Sequence, residues 1–312
     1  MPSGLFRLKQ IPHCVRNDYE HGSARKHDRG ESAKAAQEST VNTRSTKVSG
    51  QKDPIIILLR ELIGEEGRRS RGLFFAEGEE LVLRAFDYGA RVQSLILTEK
   101  LAASERARAI LDKVPASGAQ VFTATEGLLA KSLDAKPTPD CLAIVERKLA
   151  GLADVFAGGS PLALMVEHGE NADNLGMLLR SADAAGVSGV VLAAGTVDVF
   201  GRRAVRGSRG AIFTVPISIA REPARVVEEA RRLGVQAVAT SANADTLYTD
   251  IDYTGPTLVI VGNEHIGISD TVRELSDSVV RIPMLGRINS LNIAAAASVI
   301  LYEAVRQRRR PA

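Results

Sequence analysis

Five short apolar runs punctuate the second half of this chain, at 162–166, 189–193, 235–240, 258–261 and 279–282. Each is too short for a buried helix and is bounded by turn-forming residues, so each reads as a strand. Their near-continuous apolar character is what strands buried on both faces require. Helical spacing fills the stretches between them. Strands that alternate with helices are joined by crossovers into a parallel sheet covered on both sides. A long final helix is expected over 291–308, with Ile293, Ala297, Ile300, Leu301 and Ala304 on one stripe.

The first half repeats the theme on a smaller scale. Helices are expected at 54–63, 79–88 and 101–114, with Pro54 in a first turn and Gly89 at a C-terminal stop. Strands are expected at 72–77, 94–98, 120–124 and 141–145, and their alternation with helices implies a mostly parallel sheet. Residues 1–53 hold few aliphatic side chains and read as a disordered basic tail. The expected organisation is this tail, a small α/β domain over 54–147, a glycine-containing linker over 148–160 and a larger α/β domain over 161–312.

Charge and motif absences remove several functions. The net charge of +3 is uneven: residues 1–50 carry nine Lys/Arg against five Asp/Glu, leaving 31 basic and 32 acidic residues in the body. Any nucleic-acid contact by the body must then use local arginine clusters, of which Arg68, Arg69 and Arg71 form one. Arg202, Arg206 and Arg209 form another, spaced i, i+4, i+7 for a helix edge. No apolar run approaches the ~18 residues of a spanning helix, and the first thirty residues lack the apolar segment of a signal peptide. Cys14 and Cys141 cannot make a disulfide framework or a thiolate metal site, so a cytoplasmic protein without a metal is expected. Among 27 glycines no two stand at i, i+2, which argues against a dinucleotide fold, and there is no phosphate loop or Gly-x-Ser-x-Gly elbow.

Three segments carry the chemistry. The first, Asn171 to Gly186, follows a strand and reads as a helix capped by Asn174, with Leu175, Leu178, Leu179 and Ala182 on one face and Arg180 nearly opposite. The second runs from the 258–261 strand into Gly262-Asn263-Glu264-His265-Ile266-Gly267, beyond a strand's carboxyl end, where ligands of open α/β sheets bind. The third is Ile282-Pro283-Met284 followed by Asn289-Ser290-Leu291-Asn292 and four alanines, with Asn289 or Ser290 as the expected cap. Alone, each has an ordinary structural explanation: a capped helix with a solvated arginine, a common turn, and a helix with a small-residue face.

Taken together, the three resemble the signature motifs of the SpoU (TrmH-type) RNA 2'-O-ribose methyltransferases of the SPOUT superfamily. The matching residues are Asn174, Gly176, Arg180 and Ala182; Gly262, Asn263, Glu264 and Gly267; and Ile282, Pro283, Met284, Ser290, Leu291 and Asn292. The stretch from Ala204 to Ala211 also resembles the family's segment between the first two motifs, and residues 72–100 resemble the start of its N-terminal substrate-binding domain. In finer detail the chain is similar to ribosomal RNA methyltransferases of the avilamycin-resistance type. It departs from the pattern at Ala172, where proline is frequent, at Asn289, where an acidic residue is frequent, and at His265-Ile266.

The resemblance implies an α/β trefoil-knot domain beside a smaller RNA-binding α/β domain, a homodimer joined through the C-terminal domain, and S-adenosylmethionine as cofactor. It implies cofactor contacts from Thr240, Gly262, Asn263, Ile282, Met284, Ser290 and Leu291, and catalytic roles for Asn174, Arg180, Glu264, Ser290 and Asn292. In the family the arginine matching Arg180 is the proposed base. An arginine stays protonated in proteins, so a phosphate clamp oriented by Glu264 is the physically easier role. The expected substrate is ribosomal RNA, most specifically 23S RNA. Transfer RNA and a non-catalytic RNA-binding assembly factor on the same fold are the competing readings. The joint presence of the five catalytic-type residues favours the enzyme.

Overall fold

The computed structural model describes residues 45–133, 137–193, 195–263 and 265–309. In the N-terminal half the order is β1 (Ser45–Lys47), α1 (Pro54–Glu61), α2 (Glu65–Arg71), β2 (Leu73–Glu77), α3 (Glu79–Asp87), β3 (Val92–Thr98), α4 (Glu99–Ala102), α5 (Arg108–Leu111), α6 (Val114–Ser117), β4 (Gln120–Ala124), α7 (Glu126–Leu133) and β5 (Cys141–Glu146). The sheet order is β1-β4-β3-β5-β2. Side chains alternate across it, as the period of two demands. Leu73, Phe75, Ile96, Leu142 and Ile144 pack with α1 and α7 on one face. Phe74, Ala76, Leu95, Leu97, Ala143 and Val145 enter the other core.

Several expectations need correction here. Residues 1–44 lie outside the described residues, but 45–53 are not tail: β1 pairs with β4, and Asp53 caps α1 by accepting the Ile55 N–H at 3.2 Å. The sheet is mixed, because β5 runs antiparallel to both β2 and β3. The helix expected over 101–114 is broken: Ser104 takes extended backbone (φ −102°, ψ 154°), and Pro115, which lacks an N–H, starts a separate turn in α6.

The C-terminal half contains α8 (Leu152–Val155), β6 (Leu162–Val166), α9 (Ala172–Ala185), β7 (Gly189–Leu192), α10 (Arg202–Gly207), β8 (Ile217–Ile219), α11 (Pro223–Arg232), β9 (Gln236–Thr240), β10 (Thr246–Leu247), β11 (Thr257–Val261), α12 (Asp270–Leu275), β12 (Ser278–Arg281) and α13 (Ile293–Arg308). Its seven strands are all parallel, in the order β10-β12-β9-β11-β6-β7-β8. The sheet is buried on both sides. Leu164, Val166, Val259 and Val261 face α9 and α13, whereas Met165, Ala163, Leu258 and Ile260 face α8, α11 and α12. Strands β8 and β10 escaped the sequence reading because each is three residues or fewer, too short to show a period. The expected linker is partly core, since α8 lies within it and Val155 is fully buried.

The two halves share one hydrophobic core. Phe74 of β2 packs on Phe200 with ring centroids 5.1 Å apart and on Phe213 at 6.2 Å. Helices α9 and α10 meet at glycines: a Cβ on Gly176 would stand 2.7 Å from the Gly207 Cα and 2.8 Å from the Ala204 carbonyl oxygen. Only glycine allows that backbone approach. Among the described residues no helix is long and apolar enough to cross a membrane.

Candidate active site

Strand β11 delivers the chain into a loop whose shape its own residues enforce. A Cβ on Gly262 would lie 2.3 Å from the Gly267 carbonyl carbon and 2.5 Å from the Ile268 nitrogen, so the returning backbone occupies the space a side chain would need. Gly267 adopts φ +71°, a left-handed conformation that favours glycine. The buried Asn263 side chain holds the turn from inside. Its Oδ1 accepts the His265 N–H at 2.7 Å, and its Nδ2 donates to the His168 carbonyl at 3.3 Å. Glu264 lies outside the described residues.

The first and third motifs meet at an asparagine pair. Helix α9 is capped by Asn171, not Asn174: Asn171 Oδ1 accepts the N–H groups of Asp173 at 2.9 Å and Asn174 at 3.3 Å. Asn174 is thereby placed inside the first turn. Helix α13 is capped by Asn292, not Asn289 or Ser290, through the N–H groups of Ala294 at 3.0 Å and Ala295 at 3.4 Å. The Asn292 Nδ2 then donates to Asn174 Oδ1 at 2.9 Å. Further along the same two helices Ser298 Oγ donates to Ser181 Oγ at 2.7 Å. The alanines make this closeness possible: Ala294 and Ala297 are buried against the core, and Ala296 lines the cavity described next.

A cavity of about 400 Å³ opens at the carboxyl ends of β9, β11 and β12. Thr240, Gly262, Asn263, Ile282, Met284, Ser290 and Leu291 all line it. All seven residues expected around a cofactor are therefore brought to one place. Its size falls within the ~300–1,000 Å³ usual for small-molecule sites. Val261, Ile268, Ile282 and Met284 offer apolar walls for a planar ring, while Thr240, Ser241, Asn243 and Asn289 offer polar edges, so the lining fits an adenosyl group. The sequence reading missed Ser241, Asn243 and Arg273. These are ordinary loop and helix residues, and only the fold brings them to the cavity. Among the described residues no cluster of His, Cys, Asp and Glu could hold a metal ion. Burial, reinforced by Glu79 and Asp140, pushes the Cys141 thiol up to about 12, so it stays protonated and unreactive.

Arg180 is exposed on α9, opposite buried Leu175, Leu178, Leu179 and Ala182, and makes no hydrogen bond or ion pair among the described residues. The arginines expected to bind RNA behave differently. Arg202 bonds Glu77 Oε2 at 2.7 Å, Arg206 stands 3.6 Å from Glu77 Oε1, and Arg209 pairs with Glu80 at 3.2 Å. The expected arginine edge is thus largely a set of ties between the two halves. It is not one helix edge either, because α10 ends at Gly207 and Arg209 takes left-handed backbone at φ +52°. Arg69 and Arg71 are exposed and pair with Glu66 and Glu61.

Arg68 is a clearer correction. It is buried, pairs with Asp198 at 2.6 Å, and donates to the carbonyls of Leu62 at 2.9 Å and Ile63 at 2.6 Å. Arg68→Ala is expected to cost about 3–5 kcal/mol in a urea unfolding titration, since it leaves Asp198 buried and unpaired. The exposed variants Arg69→Ala and Arg71→Ala should each cost less than about 1 kcal/mol. An Arg68→Ala protein of wild-type stability with weakened RNA binding would restore the sequence reading.

A parallel sheet whose strand ends enclose a nucleoside-sized cavity without a Gly-x-Gly turn defines a cofactor-binding α/β domain outside the dinucleotide classes. Comparison with known proteins agrees. The SpoU rRNA Methylase family model matches residues 161–302, and the MRM3-like substrate binding domain model matches residues 53–143. The 23S rRNA (uridine(2479)-2'-O)-methyltransferase of Streptomyces viridochromogenes is 34% identical over 253 residues, covering 79% of this chain and 88% of that protein. The 23S rRNA (guanosine(2553)-2'-O)-methyltransferase RlmP of Bacillus subtilis is 28% identical over 250 residues, covering 78% and 92%. Among solved structures, the SpoU methyltransferase AviRb from S. viridochromogenes in complex with AdoMet superposes with a TM-score of 0.75 at 32% identity, covering 82% of this chain and 98% of that one. The AdoMet-bound rRNA methyltransferase from Sinorhizobium meliloti gives 0.73 at 29% identity, covering 84% and 98%. This chain belongs to the SpoU rRNA methylase family.

Proposed function

We propose that this protein methylates a ribose 2'-hydroxyl of ribosomal RNA, in the 23S molecule, using S-adenosylmethionine. The observation that carries the reading is that the second and third motifs line one cavity while the first is tied to the third by the Asn292–Asn174 hydrogen bond at 2.9 Å. Two relatives that match most of the chain's length are named as 23S rRNA 2'-O-methyltransferases, which supports that substrate.

When bound, S-adenosylmethionine supplies the electrophilic methyl carbon. The walls at Val261, Ile268, Ile282 and Met284 would hold its adenine, and the edges at Thr240, Asn263, Ser290 and Leu291 its ribose and tail. The acceptor hydroxyl must be held at attack distance and must lose a proton. Arg180 acts as a clamp: it binds an RNA phosphate that accepts the proton, and it stabilises charge developing on the hydroxyl oxygen. Asn174, Ser290 and Asn292 position the nucleotide through neutral hydrogen bonds, and Glu264 orients Arg180. Arg69, Arg71 and the exposed parts of Arg206 and Arg209 contribute phosphate contacts.

The same reading includes a trefoil knot, a homodimer and a cytoplasmic location. The knot is supported by the path of the chain: after β11 it crosses to the far side of β9 as β12, and α13 then returns to pack on α9. The dimer is supported by half-exposed Met177 on α9 and Tyr302 on α13, apolar groups on the two helices that meet at the motifs. Incubation of the protein with tritiated cofactor and separate 23S, 16S and transfer RNA pools tests the function. Label is expected in 23S RNA at a 2'-O position. Label confined to transfer RNA would replace the substrate, and no label with intact cofactor binding would favour the non-catalytic assembly factor.

A further inference from the structure

One buried carboxylate of the catalytic half takes no part in the chemistry above. Glu167 follows the last residue of β6 and is 2% exposed. Its N–H donates to the Val261 carbonyl at 2.9 Å, which carries the β6–β11 ladder one step beyond the strands. Its Oε2 accepts the N–H of Ser269 at 3.0 Å. Ser269 caps α12 and closes the loop that began at Gly262. The other oxygen, Oε1, stands 3.8 Å from Nε2 of His168.

His168 supplies the loop's second anchor. It adopts left-handed backbone at φ +58°, uncommon for a residue with a side chain. Its carbonyl accepts Nδ2 of Asn263 at 3.3 Å. Two consecutive residues at the end of β6 thus hold the start and the exit of the same loop. Among the described residues between these anchors only Ile268 is buried in the hydrophobic core, so a few polar ties set the loop's position. Asn263 and the neighbours of the two tied positions, Gly262 and Ile268, are walls of the cavity. A carboxylate in the interior is unfavourable unless it is held by donors, and removing it leaves the half-buried Ser269 N–H without its acceptor.

We propose that Glu167 is a positioning residue for the cofactor cavity: by holding the Ser269 N–H it fixes the exit of the 262–269 loop and so the wall against which the cofactor packs. The inference rests on the reading of that cavity as the S-adenosylmethionine site. Glu167 touches neither the acceptor hydroxyl nor Arg180 in this account, so its effect belongs to cofactor affinity and not to the chemical step.

The test uses the full chain, with calorimetric titration of S-adenosylmethionine and S-adenosylhomocysteine and steady-state kinetics on RNA. Glu167→Ala is expected to raise Kd and the cofactor KM by about tenfold or more, as loss of a buried acceptor predicts. Its kcat at saturating cofactor should stay within about twofold, the signature of lost binding without lost transition-state stabilisation. Glu167→Gln keeps an oxygen that can accept from Ser269 and should restore most of the affinity. Ser269→Pro removes the same N–H from the other side, and the proline ring fits the φ of −65° found there. It should weaken binding more than Ser269→Ala, which keeps the N–H, and combining it with Glu167→Ala should add little.

Wild-type Kd in Glu167→Ala, or a fall in kcat with an unchanged cofactor KM, overturns the inference. If Glu167→Ala does not fold, the contrast between Ser269→Pro and Ser269→Ala decides, and equal affinities there overturn it too. A wild-type protein that fails to bind either cofactor form would instead overturn the reading of the cavity itself.

Discussion

Arg180→Ala should lower kcat for RNA methylation by about 10²–10³-fold or more, the range seen when one transition-state donor is removed. Cofactor affinity should stay within about twofold, because Arg180 is not among the residues that line the cavity. The side chain is exposed and carries no ion pair among the described residues, so truncating it removes little packing and strands no partner among them. Few single substitutions in this protein separate chemistry from stability so cleanly. Arg180→Lys should recover little, since an ammonium is a point charge and cannot present the planar fork that grips a phosphate through two parallel bonds. Single-turnover methyl incorporation with calorimetry on the same preparations gives both quantities. Equal losses of rate and cofactor affinity would show that the arginine belongs to the cofactor cavity.

The second large effect is expected at Gly262. An added methyl at Gly262→Ala would meet the carbonyl carbon of Gly267 at 2.3 Å, its oxygen at 2.4 Å and the Ile268 nitrogen at 2.5 Å. All three are backbone atoms and cannot rotate aside, so the loop must move as a unit. Overpacking of this kind costs about 1–3 kcal/mol. Here the strain falls on the cavity wall, and the cofactor affinity should fall by about 10–100-fold, measured by calorimetry. Gly286→Ala is the matched control, because a Cβ there has nothing within 4 Å. Equal affinities for the two variants would mean that the 262–267 turn is not part of the binding site.

Much of this was legible before any coordinates, and the reason is local. The five strands of the larger sheet's core announced themselves because strands covered on both faces must be apolar throughout. Gly186 was readable as a helix stop, and it ends α9 in the left-handed conformation at φ +68°. The motif glycines Gly176, Gly262 and Gly267 stand where backbone approach or positive φ excludes other residues. Capping was less legible. Asn171 and Asn174, or Ser290 and Asn292, are equally good caps by type, and the choice falls to the residue whose backbone turns extended before the first helical bond.

The arginines mark the boundary. Their spacing identified a basic cluster at Arg202, Arg206 and Arg209, but an ion pair depends on what lies opposite, and Glu77 is 125 residues away from Arg202 in the chain. Nothing in the local pattern distinguishes Arg180, left without a partner among the described residues, from Arg68, buried against Asp198 at a separation of 130 residues. The sequence alone determined most of the longer elements, the order of the three motifs and the residue types around the cavity, because periodicity, turns and glycine requirements act over a few residues. The tertiary structure alone decided which charges are neutralised, which asparagine caps which helix, and that Glu167 lies sealed beneath the loop, because electrostatic pairing and desolvation depend on neighbours that only folding supplies.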